Sequence, residues 1–205
     1  GDDALGGIQH VAELDRAERL GVNTVRIFVP FDLFADGGSP HLAALRDFVD
    51  VRLARRGMLA IVTLFDLVAD APPGQPSPYA PAGRAASRAH ARAVVGALGT
   101  GNANVLAWDI KNEIDRDYGA FGRETVLAWL DEMVAALRGL DPGHLVTVGA
   151  FGVRPGAGCT APGTDGFDTA GVADLAGRVD FASVHYYLPE RCFAADLADL
   201  RRRVG

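Results

Sequence analysis

Apolar positions along the chain alternate between two periods. Over 8–20, Ile8, Val11, Leu14 and Leu20 recur at helical spacing, and Gly21 suits a helix end. "NTVRIFV" (23–29) then reads as a strand. A helix is predicted over 41–56, where Leu42, Leu45, Phe48, Val49 and Leu53 form one stripe and Gly57 lies beyond it. "MLAIVTLF" (58–65) is the next strand. Helix returns over 84–98, strand over 104–110, and helix over 122–139, which buries Val126, Leu130, Met133, Val134 and Leu137. Strand "HLVTVGA" (144–150), a short helix near 168–177, strand "DFASVHY" (180–186) and a helix over 191–203 complete the series. Two stretches suit no regular element. One is 66–83, which carries Pro72, Pro73, Pro76, Pro78 and Pro81, and the other is the glycine-rich 150–167.

Five strands separated by helices, at intervals of roughly 35–45 residues, have the cadence of repeated βα units. The strands are near-continuous apolar runs, as expected when helices cover them. The fold class is therefore α/β with a parallel sheet. An open doubly wound sheet competes with part of an eightfold β/α barrel, which needs about 250 residues in full. A chain of 205 residues falls short of that by about three units. The expectation is one domain, 1–205.

Reading each strand with a period of two places chemistry on one face. In 23–29, Val25, Ile27 and Val29 share the face that suits helices, and Thr24, Arg26 and Phe28 share the other. In "VLAWDIKNE", Leu106, Trp108 and Ile110 oppose Asp109, Lys111 and Glu113. In "DFASVHYY", Phe181, Ser183, His185 and Tyr187 are in phase. Three strands thus present hydrogen-bonding or ionisable groups away from the helices. A sheet covered on both sides has no place for such a face, whereas a barrel interior opening onto a cleft has, and the barrel is favoured.

Each residue also has a plainer reading. Arg26 inside a strand needs a carboxylate, and a structural ion pair with Asp109 would satisfy it. His185 alone would more often be a hydrogen-bonded core histidine, and Asp66 would merely start a turn. Trp108 and Trp129 read as core. "GAGCTA" (156–161) is a loose likeness of a dinucleotide signature, weakened by Pro162-Gly163 where a helix should begin.

Composition narrows the classes. Hydrophobic residues are 49% and charged residues 22%, ordinary for a globular protein. A net charge of −6 gives no reason to expect nucleic acid or an anionic membrane as partner. No apolar run approaches the ~20 residues of a membrane span. The five histidines lack metal-ligand spacing, so a zinc site is not expected. The chain opens with Gly rather than Met and shows no signal peptide, which implies processing or excision from something longer. Lys111 is the one lysine among 20 basic residues, and it stands on the strand that ends in Glu113.

"GVNTVRIFVP", "VLAWDIKNEID", "HLVTVGA" and "DFASVHYY", in this order and at these separations, resemble the glycoside hydrolases of clan A, closest to family 5 with its cellulases and β-mannanases. The resemblance covers nearly the whole chain and implies strands two to six of a (β/α)8 barrel, with strands one, seven and eight missing. It implies retaining hydrolysis of a β-linked polysaccharide, cellulose, β-glucan or β-mannan, without metal or organic cofactor. Glu113 would be the acid/base, Asn112 would hold the sugar 2-hydroxyl, Arg26 would orient the nucleophile, and His185 and Tyr187 would line the sugar site. Asp66 is added as a substrate-binding candidate. The 66–83 loop, with Tyr79, and the 150–167 loop would shape the groove.

No residue of the chain matches the family's second glutamate, the nucleophile; Glu190 does not fit that place. Without its partner, Glu113 is expected to titrate like an ordinary glutamate, with Lys111 and Asp109 neutralising each other and Arg26 beneath it. Cys159 and Cys192 follow consecutive strands, so a disulfide and two separate thiols are both open. A disulfide would fit a secreted, extracellular enzyme. The alternatives are a partial barrel that binds glycan without cleaving it and, less favoured, a nucleotide-binding α/β domain using the 149–161 glycines.

Overall fold

The computed structural model describes residues 11–29, 31, 40–66, 76–156, 158–159 and 163–204. The expected positions Ile8, Pro72 and Pro73, and Ala157, Thr160 and Ala161 of the 156–161 stretch, lie outside these. In chain order the elements are α1 (Val11–Arg19), β1 (Thr24–Phe28), α2 (Pro40–Asp47), β2 (Leu59–Phe65), α3 (Pro81–Leu98) and β3 (Val105–Lys111). There follow α4 (Tyr118–Phe121), α5 (Arg123–Leu140), β4 (Leu145–Ala150), β5 (Val153–Arg154), β6 (Gly166–Phe167), α6 (Thr169–Ala176), β7 (Phe181–Val184) and α7 (Glu190–Val204).

Local chemistry accounts for the boundaries. α3 begins at Pro81, because a proline with no N–H is tolerated in the first helical turn, so the last proline of the Pro-rich stretch starts the helix instead of delaying it. The segment predicted as one helix over 41–56 changes type midway: α2 passes into a π-helical turn (Phe48–Leu53) and a 3₁₀ turn (Ala54–Arg56). It stops at Gly57, which takes the left-handed conformation (φ 65°) that a helix end favours and glycine adopts without strain. Leu45, Val49 and Leu53 stay fully buried across this change. The 150–167 stretch, expected to be a loop, contains an antiparallel hairpin, β5 on β6, with Val153 opposite Phe167.

The main sheet has the order β1-β2-β3-β4-β7, all parallel, so each strand lies beside its predecessor in the chain. A doubly wound sheet would reverse direction at a switch point. Unbroken sequential order sends every right-handed crossover to the same side, which is the arrangement of a β/α barrel. The described residues form five units of such a barrel and no closed cylinder. Val62, Leu64, Trp108, Ile110, Val146 and Val148 point to the helices and are fully buried there with Val49, Val94, Leu130 and Leu137. Trp108 donates to Asp141 (3.1 Å) and Trp129 to Ser87 (3.3 Å), which satisfies both indoles in the core. The other face carries a polar row: Thr63 registers with Asp109, and Asp109 with Thr147.

Candidate active site

The site is built on the ends of β1, β3 and β7. β3 finishes at Lys111, and the Asn112 amide donates to the Phe65 carbonyl (2.8 Å), which carries the ladder one residue further. Glu113 then adopts φ 46°, ψ 48°, and among the described residues no other non-glycine has positive φ. That conformation costs roughly 1–2 kcal/mol for an L-residue, and such strain clusters at functional sites. A 3₁₀ turn, Ile114–Asp117, follows at once.

The turn aims the Glu113 carboxylate at three donors. Oε1 accepts from His185 Nδ1 (2.9 Å) and the Tyr187 hydroxyl (3.0 Å), and Oε2 accepts from Arg116 Nη1 (2.9 Å). The side chain is only 6% exposed. Burial pushes its pKa up, but the hydrogen bonds from His185, Arg116 and Tyr187 together outweigh burial and hold it below the usual glutamate value. Glu113 is thus a stabilised carboxylate here, where an ordinary titration was expected.

Arg26 crosses beneath it. Its Nε and Nη2 donate to Asp109 Oδ2 (2.8 and 2.5 Å), and its Nη1 donates to Asn112 Oδ1 (3.1 Å) and lies 3.4 Å from His185 Nε2. The guanidinium passes over β4 at Gly149, where a Cβ would lie 3.2 Å from Arg26 Nη2 and 3.0 Å from the Glu113 amide; any side chain there would crowd both. Asp109 is fully buried; burial raises its pKa above normal despite the opposing pull of Arg26 and the Thr63 hydroxyl. The ion pair weighed for Arg26 is therefore present, and the same guanidinium also reaches the Asn112–His185 pair.

Asn112 spends its other end on Asp66, donating from Nδ2 to Oδ1 (2.9 Å). Arg26, Asp66, Asn112, Glu113, His185 and Tyr187 thus meet in one hydrogen-bonded cluster at the carboxyl ends of the strands, where parallel α/β folds keep their chemistry. Two expectations fail. Lys111 does not neutralise Asp109: its buried ammonium donates to the Asp66 carbonyl and pairs with Asp117 (3.4 Å), to which Tyr79 also donates. Tyr79 does not line a groove: it is 1% exposed and packs edge-on against Trp129 (5.1 Å).

Three residues at the site were not anticipated. Asp115 accepts from the amides of Phe151 and Gly152 (2.7 Å each), tying the segment after β4 to the Glu113 turn. Phe151 packs on Tyr187 (centroids 5.4 Å apart), and the Arg116 guanidinium lies over Phe151 (5.2 Å). The spacing of Glu113 and Arg116, three apart, was a readable ion-pair signal. The Cys159–Cys192 disulfide is present (Cα–Cα 5.9 Å) and fastens the hairpin segment to the first turn of α7. Among the described residues, no group of three or more His, Cys, Asp or Glu is arranged to hold a metal ion.

Fold and cluster together define a sector of a (β/α)8-type barrel with a glutamate-centred site at its mouth. No family model matches the chain. Mannan endo-1,4-beta-mannosidase 1 of Solanum lycopersicum is 32% identical over 94 residues, covering 40% of this chain and 22% of that protein. Among solved structures, GH5_18 from Streptomyces cattleya in complex with GlcNAc superposes with a TM-score of 0.67 at 20% identity, over 92% of this chain and 47% of that one. The beta-1,4-mannanase of the sea hare Aplysia kurodai superposes with a TM-score of 0.59 at 16% identity, over 88% and 64%. The resemblance to family 5-type glycoside hydrolases read from the motifs is met by these matches, and the chain spans about a fifth to two thirds of the proteins it matches.

Proposed function

We propose that this chain is the central part of a glycoside hydrolase of the family 5 type that cleaves β-1,4-linked mannan, with Glu113 as acid/base. The observation that carries the reading is the seating of Glu113 between His185 and Tyr187, with Arg26 and Asn112 behind. β-Mannan is favoured over cellulose because the named relatives include a mannan endo-1,4-beta-mannosidase and a beta-1,4-mannanase. Retaining cleavage needs a second carboxyl group about 5–5.5 Å from the first. In this reading a strand beyond the five present supplies it. Glu113 protonates the leaving oxygen as the second carboxylate attacks the anomeric carbon, then takes a proton from the water that releases the sugar. Arg26 and Asn112 hold the cluster, and the disulfide supports an extracellular setting.

The experiment is hydrolysis of β-1,4-mannan, read by released reducing ends, with the protein carrying this chain and its Glu113→Gln variant. The expected loss is about 10²- to 10⁴-fold. Normal turnover by the variant would reject the assignment.

A second reading is supported by the depressed pKa of Glu113, which suits a carboxylate that binds better than it donates: a barrel sector that holds glycan without cutting it. It expects oligosaccharide binding with no reducing ends released. The nucleotide-binding reading loses its support, because Gly149 lies within β4, Gly152 leads into β5, and Gly156 and Gly158 lie between β5 and β6, none of them opening a helix.

A further inference from the structure

We propose that the face of Phe151 is a sugar-binding surface for the ring on the leaving-group side of the scissile bond, and that Arg116 is a latch covering this face and Glu113 together until that sugar displaces it. The inference rests on the acid/base reading of Glu113 and adds a subsite and a latch to it.

One guanidinium does both jobs. Its Nη1 sits 2.9 Å from Glu113 Oε2 while its carbon lies 5.2 Å from the Phe151 ring centre. The Arg116 side chain is 53% exposed, so solvent and ligand reach it, whereas the carboxylate it covers is almost buried. The guanidinium end of both contacts is open to solvent, so a ligand can compete with it for the ring and for the carboxylate.

The platform is rigidly mounted. Asp115, one residue before Arg116, holds the Phe151 and Gly152 amides, so the ring and the acid hang from the same turn. Gly152 has φ 67°, and a Cβ there would run into the Phe167 ring, so the chain leaves Phe151 by a route open to glycine. Tyr187 supports the ring from the side.

A pyranose presents a flat C–H face to an aromatic ring and its oxygens to polar groups at its rim. The guanidinium uses the same two features, its carbon over the Phe151 ring and an N–H directed at Glu113. A sugar ring laid on Phe151 therefore takes the place of Arg116 and brings its glycosidic oxygen to Oε2. While Arg116 donates to Oε2, that oxygen has no proton to give. The other groups facing Glu113 are His185 and Tyr187, both on Oε1 from the end of β7, with Asp115 on the same turn and Arg26 of β1 behind His185. Among the described residues Arg116 is the donor to Oε2, so its departure couples sugar binding to acid competence.

The test compares wild type, Arg116→Gln and Phe151→Leu by calorimetric titration with mannohexaose and by NMR titration of the Glu113 carboxyl carbon. Arg116→Gln is expected to bind mannohexaose about 5-fold tighter, since no latch must be moved. Its Glu113 is expected to titrate at higher pH. Phe151→Leu, which keeps the bulk but loses the aromatic face, is expected to bind about 5-fold more weakly. Equal or weaker binding by Arg116→Gln, or an unmoved Glu113 titration, overturns the latch; unaltered binding by Phe151→Leu overturns the subsite. A wild-type protein that binds neither mannohexaose nor cellohexaose removes the proposed function and this inference with it. Wild-type binding that both variants leave unchanged removes this inference alone.

Discussion

His185 stands between Arg26 and Glu113, with Nε2 3.4 Å from the guanidinium and Nδ1 2.9 Å from the carboxylate. Arginine only donates, so Nε2 accepts and the ring hydrogen sits on Nδ1, directed at Glu113. The sequence separation is 72 residues, and the contact fixes the tautomer at the centre of the site.

Replacing His185 by Phe therefore removes the first of the hydrogen bonds that lower the Glu113 pKa. Glu113 is depressed in the folded protein, so its contribution to stability is present above its unfolded value and lost as pH falls through the folded one. In His185→Phe the Glu113 carboxyl is expected to titrate at higher pH than in wild type, measured by carboxyl-carbon NMR. No change would mean that the imidazole does not hold it.

Arg26→Met strands the Asp109 carboxylate, which is fully buried. Breaking one partner of a buried pair costs about 3–5 kcal/mol, while replacing both by apolar groups is often near neutral. Urea unfolding is expected to show that loss for Arg26→Met and recovery of most of it in Arg26→Met with Asp109→Leu. A double variant as unstable as the single would count against the pair.

His90 sits in the core, donating from Nε2 to the Leu64 carbonyl (2.9 Å) with its ring edge-on to Phe31 and Phe65. Burial lowers its pKa to about 4. The folded state excludes the proton that the unfolded chain takes up near 6.5, so stability is full above about 6.5 and falls as pH drops towards 4, by up to about 3 kcal/mol. Thermal unfolding between pH 7 and 4.5 should show this slope, and His90→Gln should flatten it.

Reduction of Cys159–Cys192, which closes a separation of 33 residues, is expected to cost about 3–4 kcal/mol through the freed unfolded chain. That corresponds to a melting temperature lower by roughly 10 °C, read by calorimetry with and without reductant. Equal melting temperatures would assign the bond no part in stability.

The strands were legible because β2, β3 and β4 are near-continuous apolar runs, with Thr63, Asp109 and Thr147 on one face only, and runs such as "AIVTLF" have one reading. The site was half legible. Alternation placed Arg26, Asp109 and His185 on one face, because strands keep a period of two. It reached Glu113, two residues past β3, only in outcome: the period assumes an extended backbone, whereas a left-handed turn is what brings the carboxylate to His185 and Tyr187. Lys111 was misassigned for a related reason, since its long stem reaches past the strand end to Asp117 and the Asp66 carbonyl. Tyr79 followed a Pro-rich stretch and looked like groove lining, yet its ring found Trp129 and its hydroxyl found Asp117, partners 50 and 38 residues away by number. The Asp115 clamp on Phe151 and Gly152 joins two segments that no local pattern relates.

Because strand order follows chain order in the main sheet, each of its strands pairs with an edge that comes from the unit before it, and no strand has to wait for a later one to separate it from its neighbour. Glu113 comes in the middle of that order, and its partner His185 arrives only with the fifth strand. The carboxylate therefore lacks its imidazole until a further 72 residues have been added, and the pocket around it closes later than the strand that carries it.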